Sequence, residues 1–598
     1  MIDKWQKCWD ASPELYIILK ESSTVEDARE KVIRFVEGLS WSYRRDLAAK
    51  IESWDYILLK EAIKCFKNII SPRNERLANC SPLEYLWKAA VNGDSDVENG
   101  FIEEFYHLFN AIKGRAKVYP LLFLEGLNHP DFDAMKGRKA GIARSNYLDD
   151  LSRRMERYIQ RYPTGFQNHI IEERIAHKKK MLDILGGSDD DWLDYRWQFK
   201  HVFKDEKGLE LIKKMIKITP EEEEGIRLAL ENSIPFGVTP HYLHLMDPEP
   251  SKYDQAVRNQ VFPPPHYVRS VIASGEDRSV LDFMREHDTS PIDLVTRRYP
   301  RVAILKPYDS CPQICVYCQR NWEITSPFMP HAMAPREKID QALQWFAEHE
   351  EIMDVLITGG DPFVMGDDRI EHIIQFLTEL KHVRSIRFGT RVPITAPMRI
   401  TEELCEIFSN YYEAGKQTIC IVTHFSHPYE ITFHTAEAIK KIKMQGIHVY
   451  NQEVFTFSNS RRFETVALRI AMKQIGVDPY YNFNMKGKEE MTDYAVPVAR
   501  ILQERKEEAR LIPGIYRGDE PVFNVPFLGK NHLRAWQDHE IISILPDGRR
   551  VYSFHPWEKN IAKVKPYIYT DVNINSYLEK LEAHGENPED YKSIWYYY

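Results

Sequence analysis

The sequence has no apolar run long enough to span a membrane, and its first residues, Met1 to Tyr16, lack the apolar core of a secretory signal peptide. It also lacks the basic excess that nucleic-acid-binding chains need, because 80 lysines and arginines face 89 acidic residues and the formal net charge is −9. We therefore expect a cytoplasmic protein that binds neither a membrane nor nucleic acid.

Cysteine is scarce, with 8 in 598 residues, which is too few for a disulfide framework. Five cysteines are scattered, and we expect them to be small buried hydrophobes: Cys8, Cys65, Cys80, Cys405 and Cys420. The other three, Cys311, Cys315 and Cys318, stand close together. Only this trio has the spacing of a chemical site.

The chain is too long for one ordinary hydrophobic core, so several domains are expected. Apolar residues at helical spacing predict a helical accessory domain over residues 1–187, whose role the sequence does not indicate. A helical arm is predicted over 188–300, beginning after Gly186 and Gly187. Residues 531–598 are predicted to form a β-hairpin and a tail.

Residues 301–530 change pattern, with apolar β-rich runs alternating with amphipathic helical stretches. Such alternation predicts parallel βαβ units, and hence an α/β fold with a partial (βα)6 TIM-like barrel. Functional residues of such a barrel lie at the C-terminal ends of the strands. The six runs are RVAILKP, DVLITGGD, SIRFGTRVP, QTICIVTHF, HVYNQEVF and DPYYNFNM.

The cysteine trio follows the first of these runs with the spacing C-x3-C-x2-C. Three thiolates hold three irons of a 4Fe-4S cubane and leave the fourth iron open to a small molecule. The alternatives are a zinc site that lacks one ligand, which His331 would have to complete by folding back, or a non-catalytic iron–sulfur protein.

Gly359-Gly360-Asp361 ends the second run, where glycines let a backbone edge approach a ligand closely. Together with the trio, this segment resembles the radical S-adenosylmethionine superfamily. The resemblance implies that the open iron binds the methionyl end of the cofactor and that Gly359, Gly360 and Asp361 receive its amino group. It also makes His424 and Gln452 candidates for the adenosyl pocket.

Over roughly residues 188–560 the chain resembles the lysine 2,3-aminomutase family, and it is most similar to the glutamate 2,3-aminomutase branch. That family implies a barrel that binds pyridoxal 5′-phosphate as a second cofactor. The segments that carry the resemblance include TPEEEEGI, VTPHYLHLMDP, RRYPRV, CPQICVYCQR, LITGGDP, IRFGTRVP, THFSHPYEIT, NQEVF, DPYYNFNM and LPDGRRV.

The resemblance assigns roles to individual residues. Lys530 stands where the family has its Schiff-base lysine, although the preceding turn is shorter and keeps one glycine. Arg298, Arg301 and Arg391 match the arginines that hold the cofactor phosphate, and guanidinium groups suit phosphate geometry. Arg320 matches the arginine that pairs with the substrate α-carboxylate.

The distal pocket predicts the substrate. Lysine-specific relatives place two aspartates around the distal ammonium, and the aligned positions here are Lys486 and Asn524. A cation and an amide favour a carboxylate over an ammonium. We therefore expect conversion of L-glutamate to β-glutamate, the alternatives being lysine, arginine or another amino acid, or modification of a protein lysine.

The resemblance implies two kinds of partner besides the amino acid. Reduction of the cluster requires an electron donor such as flavodoxin or ferredoxin, and we expect several copies of the chain to assemble into a homo-oligomer.

Overall fold

The structure is a computed structural model. It describes residues 4–46, 53–93, 95–116, 118, 126–127, 130–132, 134–275, 277–485, 489–509, 511–535, 538–555 and 564–598.

The α-helices among these residues are numbered in chain order. They are α1 (Gln6–Ala11), α2 (Pro13–Lys20), α3 (Val25–Asp46), α4 (Ser53–Ile69), α5 (Pro72–Ala78), α6 (Pro82–Asn92), α7 (Asn99–Ile112), α8 (Gly137–Ile159), α9 (Asn168–Leu185), α10 (Asp189–Leu193), α11 (Tyr195–Lys200), α12 (Glu206–Met215), α13 (Pro220–Glu231), α14 (Pro240–Leu243), α15 (Gln255–Arg258), α16 (Pro265–Ala273), α17 (Arg336–Glu348), α18 (Asp367–Glu379), α19 (Val392–Thr395), α20 (Glu402–Tyr411), α21 (Phe433–Met444), α22 (Glu464–Gln474), α23 (Val498–Glu508) and α24 (Ile574–Ala583).

The strands are β1 (Val295–Tyr299), β2 (Val302–Tyr308), β3 (Asp354–Gly359), β4 (Ser385–Gly389), β5 (Thr418–Thr423), β6 (His448–Phe455), β7 (Asp478–Asn484), β8 (Glu520–Val525), β9 (Gly529–His532), β10 (His539–Ile544), β11 (Arg550–Phe554) and β12 (Tyr567–Thr570). Short 3-10 helices occupy Arg278–Leu281, His287–Thr289, Pro362–Val364, Pro397–Arg399, Pro428–Glu430, Phe457–Asn459, Glu489–Tyr494, Gly514–Tyr516 and Pro588–Tyr596.

The main sheet has nine strands in the order β1 to β9. Strands β2 to β8 are mutually parallel, whereas β1 and β9 pair antiparallel at the two edges. The Lys530 Nζ atom on β9 lies 5.4 Å from the ring centroid of Tyr299 on β1, so the two edges approach each other. The sheet is therefore a nearly closed, TIM-like barrel.

All six apolar runs of the sequence are strands of this barrel, β2 to β7. The prediction of six parallel strands is one too few, because β8 pairs parallel with β7 as a seventh. Its segment begins Glu520-Pro521 and carries Asn524, so it does not read as a continuous apolar run.

Strands β3 and β4 of the barrel each have a buried face and a half-buried face. On β3 and β4, Val355 and Ile386 are buried in the core under the outer helices, whereas Asp354 and Arg387 are half-buried. Arg387 Nε lies 2.7 Å from Asp354 Oδ1. The charges of both side chains affect the pKa of Lys530, so both lie near it. The half-buried face is therefore the inner wall of the barrel, which keeps room for a ligand.

A second hydrophobic core joins the two ends of the chain. It combines α1 to α4, α6 and α7 with the sheet β10–β12 and the C-terminal segment, and it reaches barrel strands β6 and β8. The rings of His107 and Trp595 stack with centroids 5.0 Å apart, and those of Phe523 and Phe554 with centroids 4.7 Å apart. Residues from both ends thus form one body against the barrel.

Side-chain caps mark the starts of two helices. Ser81 caps α6, and Thr219 forms a reciprocal capping box with Glu222 at the start of α13. Within residues 531–598, for which a β-hairpin is predicted, β10 and β11 form an antiparallel hairpin around Asp547-Gly548. The domain limits at 187, 300 and 530 stay predictions, although the last falls inside β9.

In the described part of the chain, no helix is both long enough and apolar enough to cross a membrane.

The ion pair between Glu104 and Arg550 generates the first prediction. Both side chains are buried, with Nε–Oε1 and Nη2–Oε2 distances of 2.8 and 3.0 Å. Replacing Glu104 by alanine leaves a buried guanidinium unpaired, so we expect a loss of about 3–5 kcal/mol in the free energy of unfolding. Urea denaturation followed by tryptophan fluorescence measures it.

Glu84→Ala is the matched control, because Glu84 pairs with Lys88 on the surface and its loss is expected to have no measurable effect. If the two variants were equally stable, the buried Glu104–Arg550 pair would not stabilise the contact between the two ends of the chain.

Candidate active site

The cysteine trio lies in the loop that follows β2 at the mouth of the barrel. The backbone N–H of Arg320 donates to Cys318 Sγ at 3.3 Å, and Arg391 Nη1 donates to Cys315 Sγ at 3.1 Å. Burial raises the pKa of the Cys311 thiol, and the charges of Asp361 and the other two cysteines raise it further, so the three sulfurs interact. Hydrogen bonds to sulfur are a feature of iron–sulfur sites.

The alternative zinc site would need His331 as a ligand beside the three cysteines. His331, which would have to complete a zinc site, is exposed. Among the residues the structure describes, no three Cys, His, Asp or Glu side chains are placed to hold a metal ion. The ligands of a cubane bind different irons and are more widely spaced than those of one ion.

Gly359 and Gly360 allow strand β3 to touch the cysteine loop. Gly359 has a φ of +110°, and a Cβ on Gly360 would lie 2.0 Å from the carbonyl oxygen of Ser310. The Asp361 N–H donates to that same oxygen at 2.9 Å. Only glycine fits at this contact.

The Asp361 carboxylate is buried and bound within the protein. It accepts from Thr390 Oγ1 at 2.6 Å, from the Arg391 N–H at 2.7 Å and from the Phe363 N–H at 3.0 Å. The side chain therefore links the turn after β3 to the turn after β4. Its predicted contact with the cofactor amino group stays a prediction.

Arg391, expected at the cofactor phosphate, lies beside the cysteine loop. Besides Cys315, its guanidinium binds Glu430 at 2.6 Å, the Tyr242 hydroxyl at 3.0 Å and the His424 carbonyl at 3.1 Å. These contacts engage all three of its nitrogens. The geometry therefore favours a role beside the cluster over a phosphate contact.

His424 and Gln452, the two candidates for the adenosyl pocket, lie close together. Because a carbonyl only accepts, His424 Nδ1 carries the proton that binds the Gln452 carbonyl at 2.6 Å, and Nε2 accepts from Tyr317 Oη at 2.8 Å. Burial, with the charge of Arg391, lowers the pKa of His424 to about 4, so the ring is neutral. Both ring nitrogens bind protein groups, and an adenosyl contact stays a prediction.

Lys530 projects from β9 into an aromatic part of the inner wall. Its Nζ lies 4.6, 5.4 and 5.9 Å from the ring centroids of Tyr481, Tyr299 and Phe483. Burial, helped by the charge of Arg387 and opposed by Asp354, lowers the pKa of Lys530 to about 8. A buried lysine with a lowered pKa suits nucleophilic attack on a carbonyl.

Arg298 contacts the turn that leads to Lys530, whereas Arg301 has a different environment. Arg298 donates to the Phe527 carbonyl at 3.0 Å and to the Met284 carbonyl, so it binds the turn before Lys530. Arg301 is exposed in the turn between β1 and β2. The structure does not bring these two guanidinium groups together with Arg391.

Arg320, the expected partner of the α-carboxylate, is mostly buried. Its Nε donates to Glu286 Oε2 at 3.1 Å, and its main-chain N–H binds Cys318 as described above. Among the described residues, neither terminal nitrogen of this guanidinium has a hydrogen-bond partner. Two parallel N–H groups therefore remain for a carboxylate.

Asn524 lies directly opposite Lys530 in the β8–β9 register. Its Nδ2 donates to Gln319 Oε1 at 3.4 Å, and its Oδ1 is buried without a partner in the described part of the chain. An unpaired buried amide oxygen indicates a place for a ligand or water. Lys486 lies outside the described residues.

The chain is similar to known proteins along most of its length. An uncharacterized KamA family protein of Methanocaldococcus jannaschii is 51% identical over 603 residues, which cover 98% of this chain and 96% of that protein. The chain belongs to the KamA family.

Two further relatives are named as aminomutases. The glutamate 2,3-aminomutase of Clostridioides difficile is 33% identical over 339 residues, or 56% of this KamA family chain and 76% of the relative. The L-lysine 2,3-aminomutase of Bacillus subtilis is 30% identical over 365 residues, or 60% of this chain and 72% of the relative. No family model matches the chain.

Sequence reasoning missed three charged residues of this KamA family site. Glu286 binds Arg320, and Lys306 on β2 binds Glu323 with an Nζ–Oε1 distance of 2.6 Å. None stands in a recognisable motif. Only two of them had a signal in the sequence, because Lys306 and Glu323 lie within a few residues of the cysteine loop.

The lowered pKa of Lys530 generates the second prediction. A lowered pKa means that the neutral amine is present at a lower pH, so we expect its rate of reaction with pyridoxal phosphate to be half-maximal near pH 8. An ordinary lysine reaches that point near pH 10.4. The absorbance of the imine measures this rate. Reduction with borohydride followed by peptide mapping shows that Lys530 is the residue that has reacted.

Lys530→Met is the control and is expected to remove this titration. A half-maximal rate above pH 10 in the native protein would contradict the assignment.

Proposed function

We propose that this KamA family chain is a radical S-adenosylmethionine, pyridoxal phosphate-dependent 2,3-aminomutase that converts L-glutamate to β-glutamate. The observation that carries the proposal is that a three-cysteine loop lies at the mouth of a barrel whose inner wall holds a half-buried lysine of lowered pKa. The similarity to a glutamate 2,3-aminomutase and to an L-lysine 2,3-aminomutase supports it.

The residues at the barrel mouth fit an iron–sulfur cluster and its adenosyl ligand. Cys311, Cys315 and Cys318 are the cluster ligands, and N–H donors already face two of their sulfurs. The edge at Gly359 and Gly360, which lies against the cysteine loop, is the place that we assign to the methionyl group. An external donor of flavodoxin or ferredoxin type is the source of the electron.

The inner wall fits pyridoxal phosphate. Lys530 is the group that binds its carbonyl, and three aromatic rings surround the Nζ atom. Arg298 and Arg301, near the start of β2, are the arginines we assign to the phosphate. When bound, the two cofactors would supply a radical that removes a substrate hydrogen and a carbonyl that carries the migrating nitrogen.

The protein's own groups bind, orient and shield the substrate. Arg320 holds the α-carboxylate through its two terminal nitrogens, and Lys486 and Asn524 hold the distal carboxylate. Lys530 Nζ gains or loses a proton near neutral pH because of its lowered pKa. Residues 277–290, which we name the mouth segment, exclude water by lying over the barrel opening, where the Phe283 carbonyl accepts from the Phe527 N–H at 3.0 Å.

The cluster assignment gives the third prediction. Cys311→Ala, Cys315→Ala and Cys318→Ala are each expected to abolish cleavage of S-adenosylmethionine, because three thiolates are needed to hold a cluster with one open iron. Iron content and 5′-deoxyadenosine formation after anaerobic reconstitution measure this.

Cys405→Ala is the control, since Cys405 is buried on helix α20 far along the chain from the loop. Full cleavage by any of the three loop variants would refute the cluster.

The substrate assignment gives the fourth prediction. A Lys486→Asp, Asn524→Asp double variant is expected to lose at least about 100-fold in kcat/KM for glutamate, because two carboxylates would then face the substrate's own. Turnover of glutamate and lysine by native and variant protein measures it.

Lys381→Asp makes the same Lys→Asp exchange at an exposed position and is a control with no expected effect. Native preference for lysine, or unchanged glutamate turnover in the double variant, would overturn the substrate while leaving the aminomutase chemistry intact.

A further inference from the structure

Glu286 lies between the cysteine loop and the strands that carry Asn524 and Lys530. It belongs to the mouth segment and is only 3% exposed. Its carboxylate accepts from Arg320 Nε and from Gln319 Nε2, both at 3.1 Å, and lies 3.8 Å from Lys306 Nζ. One side chain thus contacts three polar residues at the cysteine-loop end of the barrel.

The charges around Glu286 balance. Two buried cations, Arg320 and Lys306, face two carboxylates, Glu286 and Glu323. Burial alone would raise the pKa of Glu286, but the two cations outweigh it, so the pKa is lowered and the group is ionised. A charge-assisted bond from Nε fixes the plane of the guanidinium and leaves its far edge for a ligand.

The backbone beside Glu286 is held in an uncommon conformation. Arg285 has a φ of +50° and Phe527 a φ of +65°, which non-glycine residues seldom adopt. The Arg285 guanidinium carbon lies 4.2 Å from the centroid of the Phe527 ring. The mouth segment is therefore clamped to the turn that leads into Lys530.

A chain of hydrogen bonds continues from Glu286 to the lysine strand. Gln319 joins Glu286 to Asn524, and Asn524 faces Lys530 across the β8–β9 register. Glu286 therefore sets the position of Arg320 relative to the strand that carries Lys530. No other carboxylate among the described residues accepts a hydrogen bond from Arg320.

We propose that Glu286 is a positioning residue that aims the terminal nitrogens of Arg320 at the α-carboxylate of the amino acid, and so sets substrate affinity. The inference rests on the proposed function and deepens it. A merely structural Glu286 would affect folding and cofactor loading but not act through Arg320.

The test measures amino-acid binding without turnover. Equilibrium dialysis of labelled L-glutamate against pyridoxal phosphate-loaded protein, without S-adenosylmethionine, is expected to show at least about tenfold weaker binding for Glu286→Gln, because the charge that orients Arg320 is lost. Pyridoxal loading by absorbance is expected to be unchanged. In the active enzyme, KM is expected to rise while kcat changes less than about twofold.

Two further variants separate positioning from structure. In an Arg320→Gln background, adding Glu286→Gln is expected to have no additional effect on binding, because both act through one contact. Glu286→Asp keeps the charge and is expected to bind better than Glu286→Gln but less well than native protein. Glu224→Gln, which breaks a surface contact with Arg269, is the matched control with native binding.

The outcomes distinguish this inference from the proposed function. If the native protein and Glu286→Gln bind glutamate equally well, this inference is overturned while the proposed function stands. The same holds if the effects of Glu286→Gln and Arg320→Gln on glutamate binding add up in the double variant. If Glu286→Gln does not fold, native affinity of Glu286→Asp overturns it instead. Failure of the native protein to bind any amino acid of a panel of all twenty overturns both.

Discussion

A contact between two backbones determines the arrangement of the site. Gly360 passes so close to Ser310 that a Cβ would lie 2.0 Å from its carbonyl oxygen, and the Asp361 N–H binds that same oxygen. The Asp361 carboxylate then holds the turn after β4, where Arg391 reaches Cys315, His424 and Glu430. The ends of β2, β3, β4 and β5 are thereby fixed to one another through a single place where only glycine fits.

Charge balance is the second constraint, because buried ions in a low-dielectric site are costly unless each has a partner. Arg391 has Glu430, Arg320 has Glu286, and Lys306 has Glu323. Lys530 has no carboxylate as close, and burial lowers the pKa of its amine. The same interior thus keeps its arginines charged for binding anions and makes one lysine available as a neutral nucleophile.

The sequence was most informative where structure depends on local patterns. Continuous apolar runs predicted β2 to β7, and the glycines and the cysteine loop were visible as motifs. Contacts between distant residues were not predictable in this way. Arg391 meets Cys315 across 76 positions and Glu104 meets Arg550 across 446, and no periodicity indicates either pair. Glu286, within a segment predicted as a helical arm, was recognisable only once folding brought it to Arg320.

The parts of the chain beyond the aminomutase match also contribute to the site's architecture. The relative from M. jannaschii covers 98% of the chain, whereas the glutamate 2,3-aminomutase covers 56%. The N-terminal helices share one core with β10–β12, and this body meets the barrel where Phe554 stacks on Phe523. Phe523 precedes Asn524, and the same strand leads through a tight turn to Lys530. Because that strand lies near an open edge of the barrel, packing from outside limits its movement. The accessory body therefore supports the strand pair that carries the lysine, which gives the two distant ends of the chain a shared structural role.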